Sequence, residues 1–378
     1  MRKNVKSLIG IIVCSMLLSG CSGTGDEDVS SPNNKENLDN AKVQMQEFPN
    51  VYQKEEGNVV FDCNVIVESD LNTQKIYTAT AQLQKIDTTK AFDKLYSNIE
   101  DYETYEYEEK NEFGEIVKTA TYVDKYETAF SYGPLSSRLS YSKKIRLPYI
   151  LSAFRLDENY DDYNAELYST EKQLSFANRE DVYNELMNLF QSIGAGTNYK
   201  YKAYALDHSV MESEECHTDM DGNIDNASYK VSWTEEDDCY YFVMRQLFEG
   251  IPVYHKYANH FIEESDMNTP VQVIVSAEGI ESLDIEKIFT FDDVEQVENL
   301  VSFDQIAKTT SDKFNMILGN GRYTVTSAEL YYYVDLSEGD GTYSVLPCWI
   351  LKGMQDSNGE TNNIQVIVDA QTGEEIIP

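Results

Sequence analysis

Ile364, Val366 and Val368 alternate with Gln365, Ile367 and Asp369, and a turn signal, Gln371-Thr372-Gly373, follows directly. A period of two argues a strand running into a tight turn. The heptapeptide Ile364 to Ala370, IQVIVDA, has a near-copy at Val271 to Ala277, VQVIVSA, identical at five of seven positions. One structural unit used twice accounts for both, against a coincidence between two strands.

The elements around the two copies recur in the same order. Asn178 offers an N-cap, Glu180 and Asp181 favour a helix start, and Val182, Leu186, Leu189, Phe190 and Ile193 keep helical spacing up to Gly194. Strand-like stretches follow at Tyr199 to Leu206, Tyr229 to Trp233, Cys239 to Leu247, Val253 to Tyr257, the first heptapeptide and Ile285 to Phe291. Ser302-Phe303-Asp304-Gln305 then has capping-box form, and Ile306, Ala307, Thr310, Phe314, Ile317 and Leu318 make the apolar face of a second helix. Three strands follow it, at Tyr323 to Val334, Tyr343 to Gly353 and the second heptapeptide.

Upstream, Phe61, Cys63, Val65 and Val67 alternate with polar neighbours, as do Tyr77, Ala79, Ala81 and Leu83. They predict a hairpin. A short helix is expected near Thr89 to Asn98, and two further strand pairs between Tyr102 and Ile145. The expected fold class is therefore α+β: antiparallel sheets with one helix packed on each. A β-rich N-terminal domain at 51–172 precedes two repeats, the first and more diverged at 173–300 and the second at 301–378.

The start of the chain changes the address. Arg2, Lys3 and Lys6 precede an apolar run from Leu8 to Leu18, too short to span a bilayer stably. Leu18-Ser19-Gly20-Cys21 closes it and resembles the bacterial lipobox, in which the signal is removed just before a cysteine that carries the lipid. Residues 1–20 then form a lipoprotein signal peptide and Cys21 is the lipidation site; an ordinary secretory signal with an incidental cysteine is the alternative. Residues 21–50, rich in Ser, Asn, Asp, Glu and Lys, form a flexible tether. The expected location is the extracytoplasmic face of a cell membrane.

A formal net charge of -36 repels nucleic acid and anionic headgroups, so nucleic-acid binding is excluded. Outside the signal and Cys21, Cys63, Cys216, Cys239 and Cys348 allow three pairings. Cys216 with Cys239, flanking a predicted hairpin, is the first to consider, and free or buried thiols are an equal alternative. Asp219, Asp221, Asn223 and Asp225 place oxygen ligands at alternate positions, as a Ca²⁺ loop does. Ile224 and Lys230 fall where a calcium loop needs glycine and a bidentate glutamate, so a polar hairpin turn is the better reading of that segment.

Ser140 and Lys143 match SxxK on paper, but alternation around them reads as strand and puts the two on opposite faces. Among 28 tyrosines, Tyr240-Tyr241 and Tyr331-Tyr332-Tyr333 are candidates for a peptide- or glycan-binding groove, against a bland reading as amphipathic strands.

The run of helix, Tyr323-Thr324-Val325, Ala328-Glu329-Leu330-Tyr331-Tyr332, Leu346-Pro347-Cys348-Trp349-Ile350-Leu351 and Val368-Asp369-Ala370-Gln371-Thr372-Gly373 resembles the PepSY-type module of secreted and membrane-tethered bacterial proteins. That resemblance implies a helix on a small antiparallel sheet whose last strand ends in a DAxTG turn. Tyr240 to Gln246 and Gly250-Ile251-Pro252-Val253 are similar to the propeptide region of thermolysin-like proteases. The duplicated arrangement resembles the YycH/YycI type of regulator. The resemblance implies a non-enzymatic protein that binds a protein or peptide partner and regulates a protease or membrane sensor. A cell-surface binder of a small ligand or divalent cation is the alternative.

Overall fold

In the computed structural model the structure describes residues 48–67, 75–96, 101–110, 116–133, 138–156, 163–218, 222–255, 270–317, 321–336, 341–357 and 359–377. Strands β1 (Val51–Glu56), β2 (Val59–Ile66) and β3 (Tyr77–Leu83) lead to helix α1 (Thr88–Leu95). Then come β4 (Tyr102–Lys110), β5 (Ile116–Asp124), β6 (Thr128–Gly133), β7 (Arg138–Lys143) and α2 (Leu147–Ala153). The middle of the chain forms α3 (Arg179–Ile193), β8 (Tyr199–Leu206), α4 (His208–Glu214), β9 (Cys239–Phe248), β10 (Ile251–His255), β11 (Val271–Ser276), β12 (Gly279–Ile285) and β13 (Phe289–Gln296). It ends with α5 (Phe303–Met316), β14 (Arg322–Asp335), β15 (Tyr343–Ser357) and β16 (Glu360–Asp369).

The local signals act as expected at the two long helices. Asn178 Oδ1 accepts from the Glu180 amide at 2.9 Å, and Gly194 closes α3 in the left-handed region at φ 77°. Ser302 Oγ accepts from the Gln305 amide to start α5. At the end of β16, Asp369 Oδ1 accepts from the amides of Gln371 and Thr372 at 2.6 and 3.0 Å, and Gly373 takes φ 73°.

The architecture corrects the expected α+β class. The described residues form one compact unit, and their strands join in one mixed sheet of 16 instead of separate antiparallel sheets with a helix on each. Its main path runs β13-β3-β15-β14-β10-β9-β11-β12-β7-β6-β5-β4. The PepSY-like two-repeat arrangement is thereby overturned. Strands β2 and β10 both pair in parallel with β14, β3 pairs with β15, and β7 pairs with β12, so segments far apart in sequence are interleaved in one sheet. Alternation specifies which face of a strand is buried; it is silent on which strand lies alongside. The link between the two ends of the path is the β9–β10 hairpin. Glu249 (φ 47°) and Gly250 (φ 84°) both occupy the left-handed region there, the backbone of a type I′ turn.

Among the described residues this layering gives three large cores and a smaller one around Tyr254, Tyr331, Cys348 and Ile367. On one face of the β14–β15 end, Phe303, Ile306, Ala307 and Phe314 of α5 pack on Phe61, Val325, Trp349 and Val368. At the β9–β11 end, Leu186, Phe190 and Ile193 of α3 cover Tyr240, Phe242, Val273 and Leu283. The opposite face of β9 is covered by α2 and α4 through Ile150, Phe154 and Met211 against Cys239 and Tyr241.

Gly353 of β15 sits opposite the bulge between Val325 and Ser327 of β14, where an added Cβ would lie 2.0 Å from the Thr324 carbonyl oxygen and 2.8 Å from Val325 Cα. Both are backbone atoms and cannot swing aside. Gly353→Ala is expected to lose roughly 1–3 kcal/mol of stability, seen as a lower urea midpoint at unchanged slope. An unaltered midpoint would mean that the bulge relaxes freely.

Candidate functional site

The β4–β5–β6 end of the sheet carries an open cavity of about 340 Å³ beneath α1. Pleating selects its lining. Lys118, Ala120 and Tyr122 are alternate residues of β5, Phe130 and Tyr132 are alternate residues of β6, and Tyr102 begins β4. Register brings Tyr122 opposite Phe130 and Ala120 opposite Tyr132. The small Ala120 between larger neighbours leaves the space. Thr88, Thr89 and Phe92 of α1 form the roof.

The roof is held at both ends. Ahead of α1, the Asp87 amide donates to the Ile193 carbonyl at 2.8 Å and Gln84 Nε2 donates to the Gly194 carbonyl, tying the helix start to the end of α3. Asp87 also caps α1 by accepting from the Lys90 amide. Beyond α1, the Tyr96 hydroxyl donates to the Thr128 carbonyl at 3.1 Å. Asp124 closes the β5–β6 turn by accepting from the Tyr126 and Thr128 amides at 2.8 and 2.7 Å.

Phe92 lies edge-on to Tyr122, Phe130 and Tyr102, with ring centroids 4.9, 5.4 and 5.8 Å away. Such contacts favour a fixed aromatic wall over a collapsed one. Burial raises the Tyr132 phenol pKa, so this hydroxyl stays protonated. Lys118 is exposed and has no ion-pair partner among the described residues. The site offers ring faces, two threonine hydroxyls, phenol hydroxyls and one ammonium, a set suited to seating an apolar or aromatic group.

The tyrosine rows singled out in the sequence do not line this cavity. Tyr240, Tyr241, Tyr331, Tyr332 and Tyr333 are all buried in cores. The lining tyrosines were missed because their faces are mixed: Tyr102 is followed on its face by Thr104 and Glu106. Only the position of α1 marks that face as half-covered.

Cys21, Asp219 and Asp221 lie outside the described residues. Of the remaining calcium-loop positions, Asn223 is exposed, while Asp225 accepts from the Ala227 amide and the Ser228 hydroxyl within a local turn. Cys216 is an exposed free thiol and Cys239 a free thiol wholly buried in β9, where burial pushes its pKa up. Ser140 and Lys143 both belong to strand β7.

Two polar clusters were not legible in the sequence. Buried Glu215 accepts from His217 Nε2 at 2.8 Å, the Lys230 amide at 2.7 Å and Trp233 Nε1 at 2.7 Å, tying residues on both sides of Asp225 together. Asp207, His208 and Asp238 offer ligand atoms within 4.8 Å of one another, the spacing of a metal centre. Here, however, the Lys172 ammonium already sits on Asp207, and Asp238 Oδ1 accepts from both the His208 amide and Nδ1 at 2.7 Å. The cluster reads as a charged cap on α4.

No family model matches the chain, and no curated protein matches it. Among solved structures, the chain is similar to a crystal structure of an uncharacterized protein from Eubacterium rectale ATCC 33656, with a TM-score of 0.59 and 14% identity over 89% of this chain and 96% of that one. That likeness shows a shared fold alone. The C-terminal domain of Bacillus megaterium YpeB aligns with a TM-score of 0.30 and 10% identity, covering 76% of this chain and 93% of that one. It carries no argument about fold or function.

The α4 cap predicts a pH dependence of stability. The bond to Asp238 raises the His208 pKa above 6.5, so its contribution is fully present below that value and fades as pH rises through the folded pKa. Burial opposes ionisation of Asp207, but Lys172 and Ser209 outweigh it and hold the pKa at about 2, so this contribution is present above 3.8 and lost only in strong acid. Thermal unfolding between about pH 6 and pH 8 should show a falling midpoint that flattens in His208→Gln. Identical slopes in the two proteins would refute the assignment.

Proposed function

We propose that this chain is a lipid-anchored, non-enzymatic protein of the extracytoplasmic membrane face that binds a protein or peptide partner by seating an aromatic side chain under α1. The observation that carries the reading is the cavity itself: ring faces from Phe92, Tyr102, Tyr122, Phe130 and Tyr132 around an opening of about 340 Å³. Anchoring rests on the lipobox-like Leu18 to Cys21 and the tether-like composition after it. A role in regulating a protease or a membrane sensor rests on sequence resemblance alone.

Aromatic side chains bury about 150–250 Å² each, worth roughly 4–6 kcal/mol at about 25 cal/mol per Å². Association costs about 4–15 kcal/mol. A lone side chain in the cavity therefore does little more than offset that cost, and a stable complex needs contacts outside it.

Peptide-library selection on the full chain in detergent tests the reading. The protein should enrich sequences with an aromatic residue at one fixed position. Ala120→Trp, which fills the cavity, and Tyr122→Ala, which removes a wall, should abolish that enrichment while keeping the far-UV circular dichroism of the parent. Equal enrichment by folded Ala120→Trp would show that the cavity is not the binding site.

A further inference from the structure

The contacts outside the cavity have a candidate in β4, beside it. We propose that the outer edge of β4 takes a basic, extended peptide segment as an added antiparallel or parallel strand; this deepens the peptide-binding reading by naming the chemistry of its partner. Strand β4 ends the main path of the sheet, paired with β5 from Tyr102 opposite Asp124 to Lys110 opposite Ile116. Among the described residues no strand pairs with its other edge. Nine residues of backbone donors and acceptors at about 3.3 Å rise offer a template about 30 Å long, the geometry used in recognition by strand addition.

The side chains decide what kind of strand fits. Residues 102–108 are all exposed. On the cavity face stand Tyr102, Thr104, Glu106 and Glu108; on the other stand Glu103, Tyr105 and Tyr107, with the Tyr105 hydroxyl donating to Glu103. Each face thus pairs carboxylates with aromatic rings. An incoming lysine or arginine meets an acid on either face and can lay its stem along a tyrosine ring.

Charge also argues against the other obvious occupant, a second copy of this chain. Symmetric antiparallel pairing of two β4 strands would set Glu106 against Glu106, and like charges directly opposite destabilise a ladder. The net charge of -36 adds repulsion between whole molecules. An exposed strand edge is a liability that charged residues guard; glutamates guard β4 against acidic copies while leaving it open to a basic strand.

The test uses the full chain in detergent and a synthetic nine-residue peptide that alternates lysine with threonine and carries one tryptophan. Amide exchange should show protection within Tyr102–Lys110 on saturable binding. Methylating alternate peptide nitrogens of the probe, which removes donors without touching its charge, should weaken binding at least about tenfold. The combined variant Glu103→Lys, Glu106→Lys, Glu108→Lys should weaken it about tenfold or more and should accept the same peptide with glutamate in place of lysine.

The inference is overturned if the methylated peptide binds equally well, if protection maps away from β4, if nothing binds at millimolar peptide, or if sedimentation shows two copies joined through β4. The edge and the cavity fail separately. Tryptophan-dependent binding that is lost in Ala120→Trp without β4 protection would remove the edge and keep the cavity. Protection of β4 that is indifferent to both the tryptophan and Ala120→Trp would do the reverse.

Discussion

The antiparallel pairing of β14 with β15 runs from Arg322 opposite Asp356 to Asp335 opposite Ser344, and the rest of the β14–β15 end of the sheet is hung on it. Each strand is long enough to serve two neighbours on its outer edge. Along β14, β2 occupies Tyr323 to Glu329 and β10 occupies Tyr332 to Val334. Along β15, β3 occupies Tyr343 to Val345 and β16 occupies Cys348 to Ser357. Backbone donors and acceptors on both edges are thus satisfied by strands from the start, middle and end of the chain. Trp349, wholly buried at the centre of β15, meets Phe303 of α5 and Phe48, with ring centroids 5.3 and 5.0 Å away. Loss of this pair would release four strands and the face on which α5 packs.

A much thinner link carries the sheet onward. Strands β9 and β10 share two register positions, Ile251 with Phe248 and Pro252 with Leu247, before β9 turns to its own partners β8 and β11. Support across this link comes from side chains. Lys200 Nζ lies 2.9 Å from Glu329 Oε1, and the Arg245 guanidinium lies over the rings of Tyr254 and Tyr331. Gln246 adds a buried reciprocal pair, accepting from the Phe289 amide at 2.9 Å and donating to its carbonyl at 2.7 Å. Hydrogen bonds that exclude water hold their geometry better than exposed ion pairs of the same length.

The proposed binding surface sits where the ladder ends. A closed sheet would leave no free backbone, and a fully covered face would leave no cavity. Here α1 is pinned at one end through Asp87 to α3 and at the other through Tyr96 to β6, so it shelters Phe130 and Tyr122 without reaching over all of β5. Half-coverage makes a pocket of what would otherwise be core, and the acidic edge beside it sets the sign of what can approach.

Much of the local structure was determined by the sequence alone. Asn178 with Gly194 delimits α3, Ser302 starts α5, and Asp369-Ala370-Gln371-Thr372-Gly373 makes its turn, because caps and tight turns are set by side chains bonding to backbone a few residues away. The alternation of Phe61, Cys63 and Val65 likewise marked a buried face. What the tertiary structure decided was pairing. Nothing in Val59 to Ile66 says that its neighbour is Tyr323 to Glu329, and nothing in Ala120 says that it lines a cavity with Thr88, Thr89 and Phe92 of α1. The same alternating strand can join any edge of matching polarity, so one continuous sheet and several small ones share a pattern. The aromatic cavity is a product of that choice: it exists only where distant segments leave one face half-covered.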